Sequence, residues 1–490
     1  MWYLDSGSSS NVVRTGTAVN ANPLKPGARL DRAAPRVPPA RAVRAARRPY
    51  LLRMNDTPTT SNQQGADAPR SPKKSALLIV WLVVFIDLLG FGIVLPVLPR
   101  QAEPYLQALA LDEVTRGVVI GVLFSVFSLM QFVFSPMWGR VSDRIGRRPV
   151  LLISLLGSVV FYALYAFAVT LNPTTHAELA LALMLLSRIG AGVAGASVGT
   201  AAAVIADCTT PEKRAKGMAL IGIAFGAGFT LGPLIAYFGL AIFAQEAWGV
   251  GALASGLSLI ALLIALAIFK ETRDPNNKAE KAFFSLAKTR EVLAMPTVGA
   301  LVLIYFLVIF AFANFEATLA LLTRDALGMK DDRDNFLVFA FVGAVLTFAG
   351  GMYRPMVKKR GEEKLLKAGV GMMILGLAMV GVMAYLASAP DTRGAGYLKP
   401  LFYVAISISV IGFAFVNPSV SALVSKRSDP ARQGEVLGVN QSFASLGRIL
   451  GPFLGSVLFQ TEPSRTLPYV AAVITLLAVG ALLPKIRSKD

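Results

Sequence analysis

Four ionisable residues stand inside otherwise apolar stretches of the chain: Asp87, Arg188, Glu316 and Arg448. A charge in hydrocarbon costs at least about 2.5 kcal/mol, so such a group faces a cavity, a water path or a partner. Asp87 and Glu316 are therefore candidates to hold a proton or a cationic substrate. Arg188 is the candidate counter-charge that tunes them. A carboxylate balanced between desolvation and a neighbouring guanidinium can load and release a proton near neutral pH. Fixed ion pairs between helices are the competing reading, and it is preferred for Arg448, which adjoins a Gly-Pro bend. The chain has one cysteine, Cys208, and one histidine, His176. That excludes a disulfide framework, a Cys-based metal centre and a relay of histidines. His176 reads as a solvated loop residue and Cys208 as inert. No G-x4-G-K-[ST] loop and no catalytic constellation is found, so the chain reads as neither a nucleotide-driven pump nor an enzyme. No cofactor is called for, and a proton gradient is the expected energy source.

The elements that must position these charges are long apolar segments. Hydrophobic residues make up 54% of the 490 residues and charged residues 16%, and mean hydropathy is +0.59. A soluble chain carries about 25% charged residues. A bilayer core of about 30 Å needs about 20 apolar helical residues. The sequence predicts twelve such spans, at 76–99, 116–138, 150–171, 178–206, 215–238, 250–269, 295–320, 336–353, 365–388, 399–424, 435–459 and 467–484. They are rich in Leu, Ala, Val, Gly and Phe without alternation, which favours helices over barrel strands. Loops after even-numbered spans carry far more Lys and Arg than loops after odd-numbered ones. That asymmetry predicts cytoplasmic termini. It also attributes the net charge of +19 to membrane topology rather than to a nucleic-acid partner. Residues 1–53 hold ten Lys/Arg and two Asp. This stretch reads as a disordered basic tail at an anionic membrane surface, as an Arg-rich transit segment, or as sequence upstream of a true start at Met54. The predicted division is a basic tail over 1–75, six helices over 76–269, a cytoplasmic segment over 270–294, six helices over 295–484 and a short tail over 485–490.

The two sets of six repeat one another. Gly228-x3-Gly232-Pro233 recurs as Gly447-x3-Gly451-Pro452 at an offset of 219, and Pro211 and Pro430 share that offset. The loop GRVSDRIGRRPVL at Gly139–Leu151 has a decayed counterpart at GMYRPMVKKRGEEKLL, in which Gly361 stands for Gly146. Two duplicated six-helix halves suit a carrier that rocks around a midplane site.

Four stretches carry a resemblance: DLLGFGIVLPVLP (Asp87–Pro99), GRVSDRIGRRPVL, RIGAGVAGASVGTAAAVIAD (Arg188–Asp207) and GAGFTLGP (Gly226–Pro233). With them the chain resembles the major facilitator superfamily, and within it the twelve-span drug:proton antiporters of the tetracycline-exporter kind, over residues 76–484. The resemblance implies an all-α membrane fold of two pseudo-symmetric six-helix halves. It implies a small-molecule substrate, protons and the lipid bilayer as partners, and a monomer in the cell membrane. Gly139, Asp143, Arg144, Gly146, Arg147 and Arg148 are then a cytoplasmic gating motif, its glycines permitting a tight turn. Gly228, Gly232 and Pro233, with Gly447, Gly451 and Pro452, are placed at the seam between the halves. The chain departs from the fuller antiporter pattern at Ala236-Tyr237, where a Gly-Gly pair is usual. It also lacks the span 8 histidine and span 9 acid that tetracycline exporters tend to have, which argues against tetracycline itself. Phe91, Phe124, Phe127, Gln131, Tyr305, Phe312, Asn314, Phe315, Asn417 and Gln441 are candidate cavity residues, the amides foremost, because a polar amide in a span needs a cavity or a partner. The sequence supports a proton-coupled exporter of small organic molecules first. A facilitator or proton-linked uptake carrier, and a non-transporting sensor on the same scaffold, are the alternatives.

Overall fold

The structure is a computed structural model, and it describes residues 74–209, 211–244, 246–273, 286–429 and 433–486. The predicted basic tail up to residue 73, most of the central segment, Pro430 and residues 487–490 lie outside the described residues.

The described residues form helices and no strand. In order these are α1 (Lys74–Val94), α2 (Leu98–Ala108), α3 (Glu113–Ile145), α4 (Arg147–Ala168), α5 (Pro173–Ala194), α6 (Val198–Cys208), α7 (Pro211–Ile242), α8 (Trp248–Ile268), α9 (Leu286–Ala294), α10 (Pro296–Leu327), α11 (Asp332–Arg360), α12 (Glu362–Ser388), α13 (Leu398–Lys426), α14 (Gln433–Thr461) and α15 (Leu467–Leu482). Ten helical segments are long and apolar enough to cross a bilayer. Two shorter apolar stretches, Thr230–Ile242 and Leu467–Leu482, fall where spans 5 and 12 are predicted. Exposed Leu78, Phe238, Ile242, Phe348 and Ile474 give the bundle an apolar outer surface, as a lipid-facing surface requires.

Three predicted boundaries change. The first span ends at Val94 rather than residue 99. Proline lacks an N–H donor, so Pro96 interrupts the ladder, and Pro99 suits the first turn of α2. The fourth span is not one helix, since a 3-10 turn at Gly195–Ser197 separates α5 from α6. The central segment is not wholly irregular, because α9 occupies its end.

Within the first half α1 packs on α7, and within the second α10 packs on α14, as the repeat requires. Across the halves α3 packs on α14 and α7 on α11. Gly117, Gly121 and Ser125 of α3 meet Ser456, Phe453 and Ile449 of α14 at the end of the bundle nearest α2. Thr230 of α7 donates to the Gly343 carbonyl of α11 at 3.1 Å. Toward the other end these seams part. A Cβ added at Gly139 of α3, at Gly350 or Gly351 of α11, or at Gly438 of α14 would meet nothing within 4 Å. The halves are therefore joined at the α2 end and splayed at the end that carries the α3–α4 turn.

Candidate functional site

Asp87 sits in α1 and is 5% exposed. Its Oδ1 accepts from Ser158 Oγ of α4 at 3.1 Å. Its Oδ2 accepts from Ser197 Oγ at 3.0 Å, from the 3-10 turn that breaks the fourth span. That turn matters here, since it carries the second hydroxyl onto the carboxylate. No ion pair among the described residues includes Asp87. A hydroxyl both donates and accepts, so two serines can hold this side chain as a carboxylate or as a carboxylic acid.

Arg188 of α5 is 1% exposed. Its Nε donates to the Leu123 carbonyl at 3.4 Å. Its guanidinium carbon lies 4.5 Å from the centroid of the Phe127 ring, within cation–π range. Tyr162 and Tyr165 of α4 lie within electrostatic range.

In the second half, half-buried Glu316 of α10 lies within electrostatic range of Arg448 of α14. Tyr305 is also in range of Arg448, and its hydroxyl donates to Asn417 Oδ1 of α13 at 2.6 Å. Phe312 stacks on Phe413 with centroids 3.8 Å apart. The charge facing Glu316 is thus Arg448, the arginine that sequence reasoning set aside as structural. The expected single counter-charge is divided between the halves. Of the four charges within the apolar runs, Asp87 and Arg188 stand in the first half and Glu316 and Arg448 in the second, so these four balance.

The other candidate cavity residues scatter. Gln131 Nε2 donates to the Gly195 carbonyl at 3.1 Å. Asn314 is fully buried, and its amide makes no hydrogen bond. Asn417 joins the Tyr305 pair, and Gln441 is exposed on α14. Phe124, Phe127 and Phe315 are buried. The Phe91 side chain lies outside the described residues. His176 is exposed as expected, but it stands in the first turn of α5 rather than in a loop. Among the described residues no group of His, Cys, Asp and Glu could hold a metal ion.

The Gly139–Arg148 motif is helical up to Ile145, so the expectation of glycines making a turn holds only for Gly146, at φ +110°. A side chain there would be strained, and its Cβ would lie 2.5 Å from Glu271 Oε2. Arg147 pairs with Asp143 at 2.5 Å and with Asp207 at the end of α6 at 3.1 Å. It also donates to Ser142 Oγ at 2.6 Å. Glu271, beyond α8, caps α4 by accepting from the Arg147 and Arg148 backbone N–H groups at 2.9 and 3.0 Å, where a carboxylate is favoured by the helix dipole. Burial pushes the Glu271 carboxyl up, but the N–H groups of Arg273, Arg147, Arg148 and Thr272 prevail and hold it below the ordinary glutamate value. Arg273 donates to the Arg144 carbonyl at 2.7 Å. These partners all belong to the first half or to the segment that follows it. Asp207 and Glu271 were missed in the sequence because nothing in their spacing ties them to the motif.

The Gly-Pro helices also differ from expectation. α7 and α14 do lie at the seam, yet their glycines face inward within each half. A Cβ at Gly228 would lie 2.7 Å from Leu88 Cβ of α1, and one at Gly451 would lie 2.6 Å from the Phe310 carbonyl oxygen of α10. Small residues let these helix pairs close up. The seam itself is made by other residues of the same helices.

A two-half bundle of membrane-length helices is an architecture suited to a membrane carrier, and the sequence comparisons agree. The family profile described as "Major Facilitator Superfamily" matches residues 80–452 and 372–490. The chain belongs to the major facilitator superfamily. It is 26% identical over 455 residues to the "Major facilitator superfamily domain-containing protein 10" of Bos taurus, covering 84% of this chain and 93% of that one. It is 29% identical over 389 residues to the "Tetracycline resistance protein, class E" of Escherichia coli, covering 78% and 87%. Among solved structures, the human organic anion transporter MFSD10 (TETRAN) superposes with a TM-score of 0.59 at 24% identity, over 84% of this chain and 99% of that one. A D-xylose-proton symporter superposes with a TM-score of 0.67 at 18% identity, over 86% and 100%. The last two likenesses speak to the fold. The chain is a multi-pass membrane transporter and not an enzyme.

Proposed function

We propose that the protein is a secondary active transporter that exports small organic molecules in exchange for protons, with Asp87 as the coupling carboxylate. The observation that carries this reading is the setting of Asp87: deeply buried, outside any ion pair among the described residues, and held by two hydroxyls that accommodate either charge state. An ionisable group kept within an apolar span at such a desolvation cost is a functional candidate. Glu316, facing Arg448, is the second titrating site. Its charge partner links its ionisation to the packing of α10 on α14, the helix that also forms the seam with α3. The export direction rests on similarity to tetracycline resistance proteins. The cytoplasmic placement of both termini rests on the Lys/Arg asymmetry of the loops.

The test is substrate-dependent collapse of a pH gradient in proteoliposomes. A pH-sensitive dye reports the gradient while a panel of lipophilic cations and neutral drugs is added. Wild type is expected to dissipate the gradient with at least one compound, and Asp87→Asn to remain silent with that compound. Equal dissipation by wild type and Asp87→Asn would remove Asp87 from the coupling role.

A further inference from the structure

Arg100 lies just past the apolar run of α1, in the first turns of α2, where the loops are otherwise poor in basic residues. It is buried, at 8% exposed. Every hydrogen bond its side chain makes crosses to the second half. Nε donates to the Ala320 carbonyl at 3.1 Å, and Nη2 to Thr323 Oγ1 at 3.0 Å and the Met329 carbonyl at 2.8 Å. Nη1 donates to the Lys330 and Asp331 carbonyls at 3.4 and 3.1 Å and to Asp332 Oδ1 at 3.4 Å. The planar guanidinium, with five N–H donors in a fixed fork, thus fills a socket built from the end of α10, the α10–α11 turn and the start of α11. The socket is itself braced. Gly328 closes α10 at φ +66°, the Met329 N–H donates to the Thr323 carbonyl at 3.1 Å, and Thr323 Oγ1 donates to Asn335 Oδ1 at 3.2 Å. Asn335 Nδ2 returns across the seam to the Pro96 carbonyl at 2.6 Å. A cavity of about 800 Å³ lies beside the socket, lined by Arg100, Gln101, Arg324, Lys330, Asp331 and Asp332.

We propose that Arg100 is the latch that holds the α2 end of this transporter shut, with the α10–α11 turn as its catch. The proposal rests on the reading that the two halves rock, for which the joined and splayed ends of the seam are the evidence. Opening the α2 end must withdraw the guanidinium from all its acceptors at once, because they sit on one contiguous segment. The adjoining cavity, lined also by Tyr105, Val169 and Leu240, is roomy enough for water to receive the freed donors and carbonyls. Removing Arg100 should therefore favour the state open at the α2 end, and lysine should not replace it, because a single ammonium cannot span the socket.

The experiment measures a distance. Spin labels at Ala108→Cys and Asp391→Cys, both exposed at the α2 end and one in each half, are introduced into the full chain with Cys208→Ser and reconstituted in lipid. The Arg100 chain should show one dominant short distance. Arg100→Ala should raise the population of a longer distance at least tenfold, Arg100→Lys should raise it by less, and Asp332→Asn, which keeps an acceptor, by least. A distance distribution in Arg100→Ala that matches the parent would overturn the proposal. Should Arg100→Ala fail to fold, Arg100→Lys and Thr323→Val carry the test, and unchanged distributions in both would overturn it. The outcome is independent of proton coupling: a silent dye assay with a shifted distance leaves the latch in place and removes the coupling instead.

Discussion

Asp87 and Glu316 are legible in the sequence because an acid in an apolar run is conspicuous, and its desolvation cost demands an explanation. Ser158 and Ser197 are not legible, since a serine in a helix costs little and occurs for many reasons. The same contrast explains why Arg100 was passed over: it stands outside the apolar runs, where a base needs no special account. Asp87→Asn keeps the shape and both serine contacts, so it should leave the purified protein folded and abolish substrate-driven proton flux. A loss of folded protein would instead give Asp87 a structural role. Glu271 offers a second residue-level prediction. Its carboxyl is held below its ordinary value of 4.5. The stabilisation it brings is then complete above that value and is lost as pH falls through the lowered one. Between pH 6 and 3 the thermal stability of wild type should fall more steeply than that of Glu271→Gln. Parallel profiles would show that the cap on α4 contributes nothing to the fold.

At the scale of elements, hydropathy placed the helices, because twenty apolar residues leave few alternatives in a chain with so little polar sequence. Hydropathy could not place the interruptions. Pro96 ends α1 inside an apolar run, and the Gly195–Ser197 turn breaks the fourth span without any polar residue larger than serine. Both breaks serve the site, one by releasing α2 with Arg100 and the other by delivering Ser197. The Gly-Pro repeat located the packed helix pairs but not the face each glycine presents, since spacing alone does not state which neighbour a face meets. Gly228→Leu and Gly451→Val should each destabilise the bundle by roughly 1–3 kcal/mol or prevent folding, as overpacking does. Gly350→Ala, with open space around it, should be close to neutral. Thermal inactivation midpoints of the purified variants check this, and a neutral Gly451→Val would contradict the close approach of α14 to α10.

For the molecule as a whole, the internal repeat announced two halves and a carrier, and the structure adds how they meet. The halves meet along α3–α14 and α7–α11 near α2 and part toward the α3–α4 turn. No sequence pattern could show this, because the same residues must also serve the opposite state. The placement of charges relative to one another is likewise a property of the assembled bundle. Arg448 donates to nearby Ser445 on its own helix at 3.3 Å, and only packing brings it within electrostatic range of Glu316 on α10. On the proposed function, two acids and two bases within the apolar runs are suited to exchange, since a proton arriving on either acid leaves one base uncompensated until a counter-movement restores it. On the proposed function, a proton gradient alone drives substrate uphill. The measurement is accumulation, in proteoliposomes with an imposed pH gradient and no other energy source, of the compound that responds in the dye assay. Coupled exchange predicts wild-type accumulation well above equilibrium, abolished by Asp87→Asn and by collapsing the gradient. Equilibration of the compound at equal rates with and without the gradient would contradict it.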